Sequence, residues 1–358
     1  MLFRSYINLP KGFVPPKNMA PIVQAFLDSG SIELTRDTSK SVTMPKKSLF
    51  LVGGPVRDFL VNPSKRSKDY DLATNATPEQ IALILHNAGF EAENPEDAKK
   101  LNIPSGESKS EGGKKWFIKG HDAGGKPFVI GAVVGGEVFD IATFRKDGET
   151  VNGKSDVEFT DNPHADAERR DLTINSMYIE LTKPDGENKK LYDPTRKGYH
   201  DVFSGNVRTV GKAEKRFDED KIRVMRAIRF HCKFGKSKQM DKDMEASIPK
   251  FADLDGVAME RIREEFLKGL EDPDVDPKKY VSLYKRFGLL GKVFPGVSVR
   301  TDIPPQLRDK KDKLVALAWM LQDNPTETIQ SALGSVWPNN EKSLISYLVS
   351  LKEFDPDN

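Results

Sequence analysis

The chain has 358 residues, 31% charged and 37% hydrophobic, and its 56 basic and 54 acidic side chains leave a net charge of +2. This suits a globular chain of two or three modules. No run of ~18 apolar residues offers a membrane span, and the lone Cys232 excludes an internal disulfide or a Cys-based zinc site and fits a reducing compartment, the cytoplasm. So small a net charge means that any nucleic-acid surface has to be local.

Residues 1–44 read as an N-terminal extension. Its first residues have a short apolar patch but no long apolar stretch and no small-residue cleavage site, so no signal peptide is expected. Met19–Leu27 could form one short amphipathic helix.

The next stretch organises the chain. Leu49–Phe50–Leu51–Val52 is an apolar run that reads as a buried strand. It runs into Gly53 and Gly54, where bare backbone can approach a bulky ligand and offer N–H groups to an anion. Arg57 and Asp58 follow on the first turns of a helix, then Asp69–Tyr70–Asp71. If Lys68–Ala73 is a strand, its period of two puts both aspartates on one face. There they could hold divalent metal against a triphosphate.

Thr77–Pro78–Glu79 carries N-cap and first-position signals for a helix that ends near Gly89. Residues 91–127 are rich in Glu, Lys, Gly and Ser and read as a mobile insertion, with poor order expected at 91–115. Two strands about Gly135–Gly136 follow, and the second places Asp140 on a face as a third carboxylate. The bland reading of Asp140 is an edge-strand surface residue. Residues 164–183 begin as a helix, with Arg169, Arg170 and Asp171 ahead of Leu172, Ile174 and Met177. Residues 214–232 read as one strong helix with Val224, Met225, Ile228 and Cys232 on its apolar face. Glu219, Asp220, Arg223 and Arg226 share the opposite side, either as a solvated ion-pair network or as an acid–arginine pair that reads a base edge. Everything beyond Met259 reads as helical, and no repeat of fixed period is present.

These residues resemble the class II tRNA nucleotidyltransferase and bacterial poly(A) polymerase family. Phe50–Asp58 with Asp69–Thr74 resembles its first motif, and Arg169–Met177 its second. Asp193–Pro194 with Gly198 and Asp201 is similar to the third, Glu219–Asp220–Lys221–Ile222–Arg223 to the Glu-Asp-x-x-Arg motif, and Glu260–Glu265 to the fifth. The set runs in order over residues 48–270.

The resemblance implies an α+β chain: a nucleotidyltransferase head with a small mixed β-sheet (45–183), a helical neck with a nucleotide-recognition helix (184–270), and a helical RNA-binding body and short tail (271–358). It implies catalytic roles for Asp69, Asp71 and Asp140, with Asp69 and Asp71 holding Mg²⁺. Gly53, Gly54 and Arg57 would position the triphosphate, and Arg170, Asp171 and Asn175 would contact ribose and phosphate. Asp220 and Arg223 would template the base, and Arg226 would meet the triphosphate.

The implied activity is template-independent addition of C and A to a tRNA 3′ end from CTP and ATP, with release of pyrophosphate. Poly(A) addition is the alternative, and an inactive RNA-binding homologue a third. Gly125–Lys126–Pro127–Phe128 matches the Gly-basic-basic-Phe segment of bacterial poly(A) polymerases only in part, and Ala132 stands where a histidine is expected. CCA addition is therefore the leading expectation. The sequence leaves the oligomeric state open.

Overall fold

A computed structural model describes residues 6–36, 40–64, 66–67, 69–104, 113–122, 125–151, 154–236, 239–304, 307 and 312–351. The chain divides into two units, Met1–Phe203 and Ser204–Asn358.

The first unit is built on a mixed nine-stranded sheet. Its strands are β1 (Tyr6–Phe13), β4 (Leu49–Val52), β5 (Asp71–Thr74), β6 (Glu91–Ala92), β7 (Lys115–His121), β8 (Pro127–Val134), β9 (Glu137–Thr143), β12 (Tyr178–Glu180) and β13 (Asn188–Tyr192). The spatial order is β1-β13-β12-β4-β5-β9-β8-β7-β6. Pairs β5–β9 and β6–β7 are parallel and the others antiparallel. Two small hairpins, β2 (Glu33–Arg36) with β3 (Lys40–Thr43) and β10 (Arg145–Val151) with β11 (Lys154–Phe159), stand apart from the sheet.

All four residues of β4 are buried, because both faces of this central strand are covered. Its period of two sorts them: Leu49 and Leu51 enter the large core with Phe26, Ile81, Leu85 and Trp116, whereas Phe50 and Val52 join Phe144, Ala167, Tyr178 and Tyr192. The helices of this unit are α1 (Ala20–Leu27), α2 (Gly54–Val61), α3 (Pro78–Asn87), α4 (Pro95–Lys100), α5 (Pro163–Glu168) and α6 (Gly198–Ser204). A Thr77–Gln80 capping box starts α3, as its sequence signals predict. Gly135 and Gly136 turn β8 into β9 with φ of 59° and 81°, as a two-residue hairpin of that twist requires.

Three sequence expectations are revised here. Residues 1–44 are not only an extension, since β1 pairs with β13 at one end of the sheet. Likewise β13 lies beyond residue 183 and is still part of the sheet. The 91–127 segment is largely regular: β6, α4, β7 and the start of β8 fall within it, and Trp116 is fully buried. Leu101, Ile103 and Trp116 together bury apolar side chains in the core, which offsets the polar composition around them. Of the stretch expected to be poorly ordered, residues 105–112 lie outside the described residues.

The second unit is helical: α7 (Ala213–Glu219), α8 (Ile222–Phe234), α9 (Lys242–Phe251), α10 (Met259–Glu271), α11 (Pro277–Arg286), α12 (Leu290–Val293), and further helices at Lys313–Leu321, Thr326–Leu333 and Asn339–Ser350. Phe266, Tyr280, Tyr284 and Phe294 form an aromatic core with ring centroids 5.1–5.7 Å from Phe266. The expected single helix over 214–232 is broken at Asp220, whose φ of −157° and ψ of 104° are extended. Aspartate competes with helix through its own backbone contacts, and here its Oδ1 accepts the Ile222 N–H at 3.3 Å. Among the described residues no helix is long and apolar enough to cross a membrane.

Candidate nucleotide and metal site

Gly53 makes the turn from β4 into α2. It caps α2 with φ 72° and ψ −134°, a region open essentially to glycine alone. A Cβ on Gly53 would stand 3.7 Å from Arg170 Nη1, 3.9 Å from Asp71 Oδ2 and 4.0 Å from the Asn175 carbonyl oxygen. A Cβ on Gly54 would lie 3.5 Å from Arg57 Nη2. The β4–α2 turn thus presents bare backbone beside two guanidinium groups and a carboxylate, at the N-terminus of a helix. All but the carboxylate favour an anion.

Both arginines are held from behind. Arg57 is buried, its Nε and Nη2 donate to Asp58 Oδ1 at 2.9 and 2.7 Å, and its Nη1 donates to Asn175 Oδ1. Asn175 is itself steadied by Asp171, whose Oδ1 accepts from Asn175 Nδ2 at 3.3 Å and from the Leu172 N–H at 2.7 Å. Arg170 donates through Nε and Nη2 to Asp166 Oδ2 at 3.1 and 3.0 Å, and through Nε to the Tyr178 hydroxyl at 3.0 Å.

The carboxylates come next. Asp71 opens β5 and is the register partner of Asp140 on β9. Desolvation raises the Asp71 pKa, Arg170 opposes that, and Asp140 and Asp69 raise it further. Negative charge is therefore crowded here. Asp140 is not a bare surface residue: Lys119 Nζ on β7 reaches its two oxygens at 2.7 and 2.6 Å. Asp69 departs from expectation. The strand begins at Asp71, so Asp69 lies exposed on a bend two residues ahead of it, and the shared strand face does not exist. Among the described residues no three His, Cys, Asp or Glu side chains stand together as a ready metal cluster.

In the helical unit Asp220 and Arg223, expected side by side on one helix, are held by different partners. Asp220 sits in the break between α7 and α8, and its Oδ2 accepts from Arg261 Nη2 at 2.8 Å. Arg223 Nη1 donates to Glu219 Oε2 at 2.7 Å and to the Arg216 carbonyl at 3.2 Å. Arg226 lies 5.5 Å from the Phe230 ring. The sequence reading assigned no role to Asp166, Asp58, Lys119 or Arg261, although Asp58 and Arg261 lie within its first and fifth motifs. For Asp166 a signal existed: it precedes Arg169 and Arg170 by three and four residues, the spacing of ion pairs on one helical turn.

Comparison with known proteins places the chain in a family. Residues 49–111 and 107–208 match the family described as Poly A polymerase head domain, and residues 239–300 match the one described as Probable RNA and SrmB- binding site of polymerase A. The chain is 30% identical over 337 residues to the human CCA tRNA nucleotidyltransferase 1, mitochondrial, covering 90% of this chain and 67% of that protein. It is 34% identical over 224 residues to its Danio rerio counterpart, covering 62% and 44%. A Staphylococcus saprophyticus CCA-adding enzyme is 28% identical over 236 residues, covering 65% and 48%. The chain thus spans about half the length of most of these relatives. The Bacillus stearothermophilus CCA-adding enzyme in complex with CTP superposes with a TM-score of 0.64 at 24% identity, covering 95% of this chain and 70% of that one. The Thermotoga maritima enzyme complexed with tRNA_CCA gives 0.59 at 19%, covering 97% and 74%. With its head fold, its ordered motifs and these relatives together, the chain belongs to the tRNA nucleotidyltransferase and poly(A) polymerase family.

Proposed function

We propose that this chain adds C and A residues to the 3′ end of tRNA from CTP and ATP, releasing pyrophosphate. The observation that carries the reading is the Gly53 turn, where Arg170 Nη1 and Asp71 Oδ2 converge on one glycine face. Nucleotidyl transfer asks little of a protein beyond such positioning and charge placement. The kinship with CCA-adding enzymes favours tRNA over poly(A) synthesis.

In this reading the Gly53–Gly54 backbone, Arg57 and Arg170 receive the triphosphate and hold its α-phosphate in line with the attacking 3′-hydroxyl. Asp171 and Asn175 fix Arg57 and approach the ribose. The oxygen-only donor set and the crowded charge at Asp71 and Asp140 fit a hard divalent cation such as Mg²⁺, with Asp69 and Asp71 as ligands. When bound, that cation supplies neutralisation of leaving-group charge and a more acidic 3′-hydroxyl. Asp140, gripped by Lys119, completes the acidic face. Asp220 accepts from the exocyclic amine shared by cytosine and adenine, Arg223 donates to the ring acceptor, and Arg226 meets the triphosphate. The helices beyond α10 hold RNA, and the reducing compartment is the cytoplasm.

The test is to sequence the 3′ ends formed on tRNA lacking CCA when all four nucleotides and Mg²⁺ are supplied. Ends in CCA support the reading. Long runs of A on unrelated RNA, with CTP ignored, would replace it by poly(A) synthesis. No incorporation at all would favour an inactive RNA-binding homologue.

A further inference from the structure

The motif arginines of the head are organised by a residue outside the motif. Asp166, on the short helix α5, is 1% exposed. Its two oxygens accept from six donors. Oδ1 takes Arg169 Nε at 3.0 Å, Arg169 Nη2 at 2.6 Å and the Arg145 N–H at 3.3 Å. Oδ2 takes Arg170 Nε at 3.1 Å, Arg170 Nη2 at 3.0 Å and the Tyr178 hydroxyl at 2.8 Å. Burial alone would raise the pKa of this carboxyl, but Arg170 and Arg169 outweigh it and hold the group well below the usual carboxylate range. It is therefore a permanent anion, saturated with donors.

That saturation decides which way Arg170 faces. A guanidinium has five N–H donors in a rigid plane. With Nε and Nη2 turned to Asp166 and Tyr178, the Nη1 edge is aimed at the Gly53 turn, 3.7 Å from where a side chain there would begin. The ring of Tyr178 lies 5.2 Å from the same guanidinium and limits its rotation. Asp166 also reaches the Arg145 N–H, just past the strand that carries Asp140. One carboxylate thus ties the arginine motif to the exit of the third-carboxylate strand.

We infer that Asp166 is a positioning residue for nucleotide binding, presetting Arg170 as a phosphate donor at the Gly53 turn. The inference rests on the nucleotidyl-transfer reading above. Its test is a double-mutant cycle on the full chain: wild type, Asp166→Asn, Arg170→Ala and the double variant. CTP affinity is measured by calorimetry with Mg²⁺ present, and pyrophosphate serves as a probe of phosphate binding alone. Asp166→Asn should weaken both ligands about ten- to a hundredfold, the worth of a charge-assisted hydrogen bond. It should weaken neither further in the Arg170→Ala background, because it acts through Arg170. A merely structural role would lower thermal stability and leave the two effects additive; that result, or unchanged affinity in Asp166→Asn, overturns the inference. If Asp166→Asn does not fold, Tyr178→Phe carries the test, since it removes one partner from both Asp166 and Arg170 without changing charge. It should weaken pyrophosphate a few-fold only where Arg170 is present, and no change would count against the idea. Wild type that bound no CTP would instead take down the transferase reading itself.

Discussion

Asp71 and Asp140 are register partners across the parallel β5–β9 pair, so two acidic side chains occupy adjacent strands at one level of the sheet. Desolvation first, and then Asp140 and Asp69, raise the pKa of Asp71, with Arg170 opposing. A raised carboxyl pKa means that the folded state prefers the neutral form. Its stabilising contribution is full below the usual carboxylate range and is lost as pH rises through the folded pKa.

Asp71→Asn should therefore abolish nucleotide incorporation yet keep or raise the melting temperature at neutral pH. The gap in stability over wild type should narrow as pH falls toward the carboxylate range. Labelled CTP incorporation and scanning calorimetry at several pH values check it. Activity near wild type, still dependent on Mg²⁺, would remove Asp71 from the metal site.

Gly53→Ala should cost about 1–3 kcal/mol, because alanine resists the φ 72°, ψ −134° backbone that α2 requires at its cap. CTP affinity should fall more than stability does, since the added methyl points at Arg170 Nη1 and Asp71 Oδ2. Urea titrations beside CTP binding separate the two losses. Equal binding by this variant would mean that no ligand approaches that face.

The route from sequence to site was short where local rules govern and long where the backbone breaks them. Leu49–Val52, the two glycines and Thr77 announce a strand, a turn and a cap, and the structure has each. Asp69 was misplaced because periodicity assumes a strand already under way, and this one starts at Asp71. Asp220 was misplaced because the apolar spacing of α8 continues backward through α7 and hides the break. Its partner Arg261 lies forty-one residues on, beyond any local pattern. The anchoring of β13 by Tyr6–Phe13 is equally non-local.

Base choice gives a third prediction. Asp220→Ala should relax discrimination against UTP more than it slows phosphate chemistry. Uracil places an acceptor where the cytosine amine would meet the carboxylate, a mismatch of about 1–3 kcal/mol that the variant no longer imposes. Arg261→Ala, which removes the counterion of Asp220 at 2.8 Å, should alter nucleotide preference in the same assay while Mg²⁺ dependence stays unchanged. Competition among the four nucleotides gives the answer. Full retention of the CTP and ATP preference in Asp220→Ala would make this corner an ion-pair network only.

A fourth concerns pH and the helical unit. His231 is 3% exposed, and burial, then Lys279, push its pKa down to about 4, with Glu245 opposing. A lowered histidine pKa means that the unfolded chain takes up the proton first. Stability is full above about 6.5 and is lost as pH falls from there toward 4, by up to about 3 kcal/mol. In His231→Gln the melting temperature should drop less between pH 7 and pH 5 than in wild type. Parallel curves would show that His231 does not titrate on unfolding.

The buried pair Arg229–Glu265, Nε to Oε1 at 2.6 Å, joins α8 to α10. Glu265→Ala leaves an uncompensated buried guanidinium and should destabilise by about 3–5 kcal/mol. Chemical denaturation would read the loss, and a change under 1 kcal/mol would mean that water reaches the pair.

The pairing of Tyr6 with Tyr192 and Ile7 with Leu191 has a consequence for how the head is made. Among the described residues β1 pairs in the sheet with β13 alone, the last of its strands to leave the ribosome. Until β13 emerges, β1 lacks this partner, and its backbone groups are left to water or to wrong partners. Closing a loop that spans nearly the whole unit is slow, because its entropy is lost before any contact repays it. The central strands can assemble during synthesis, while this edge locks only once β13 has emerged.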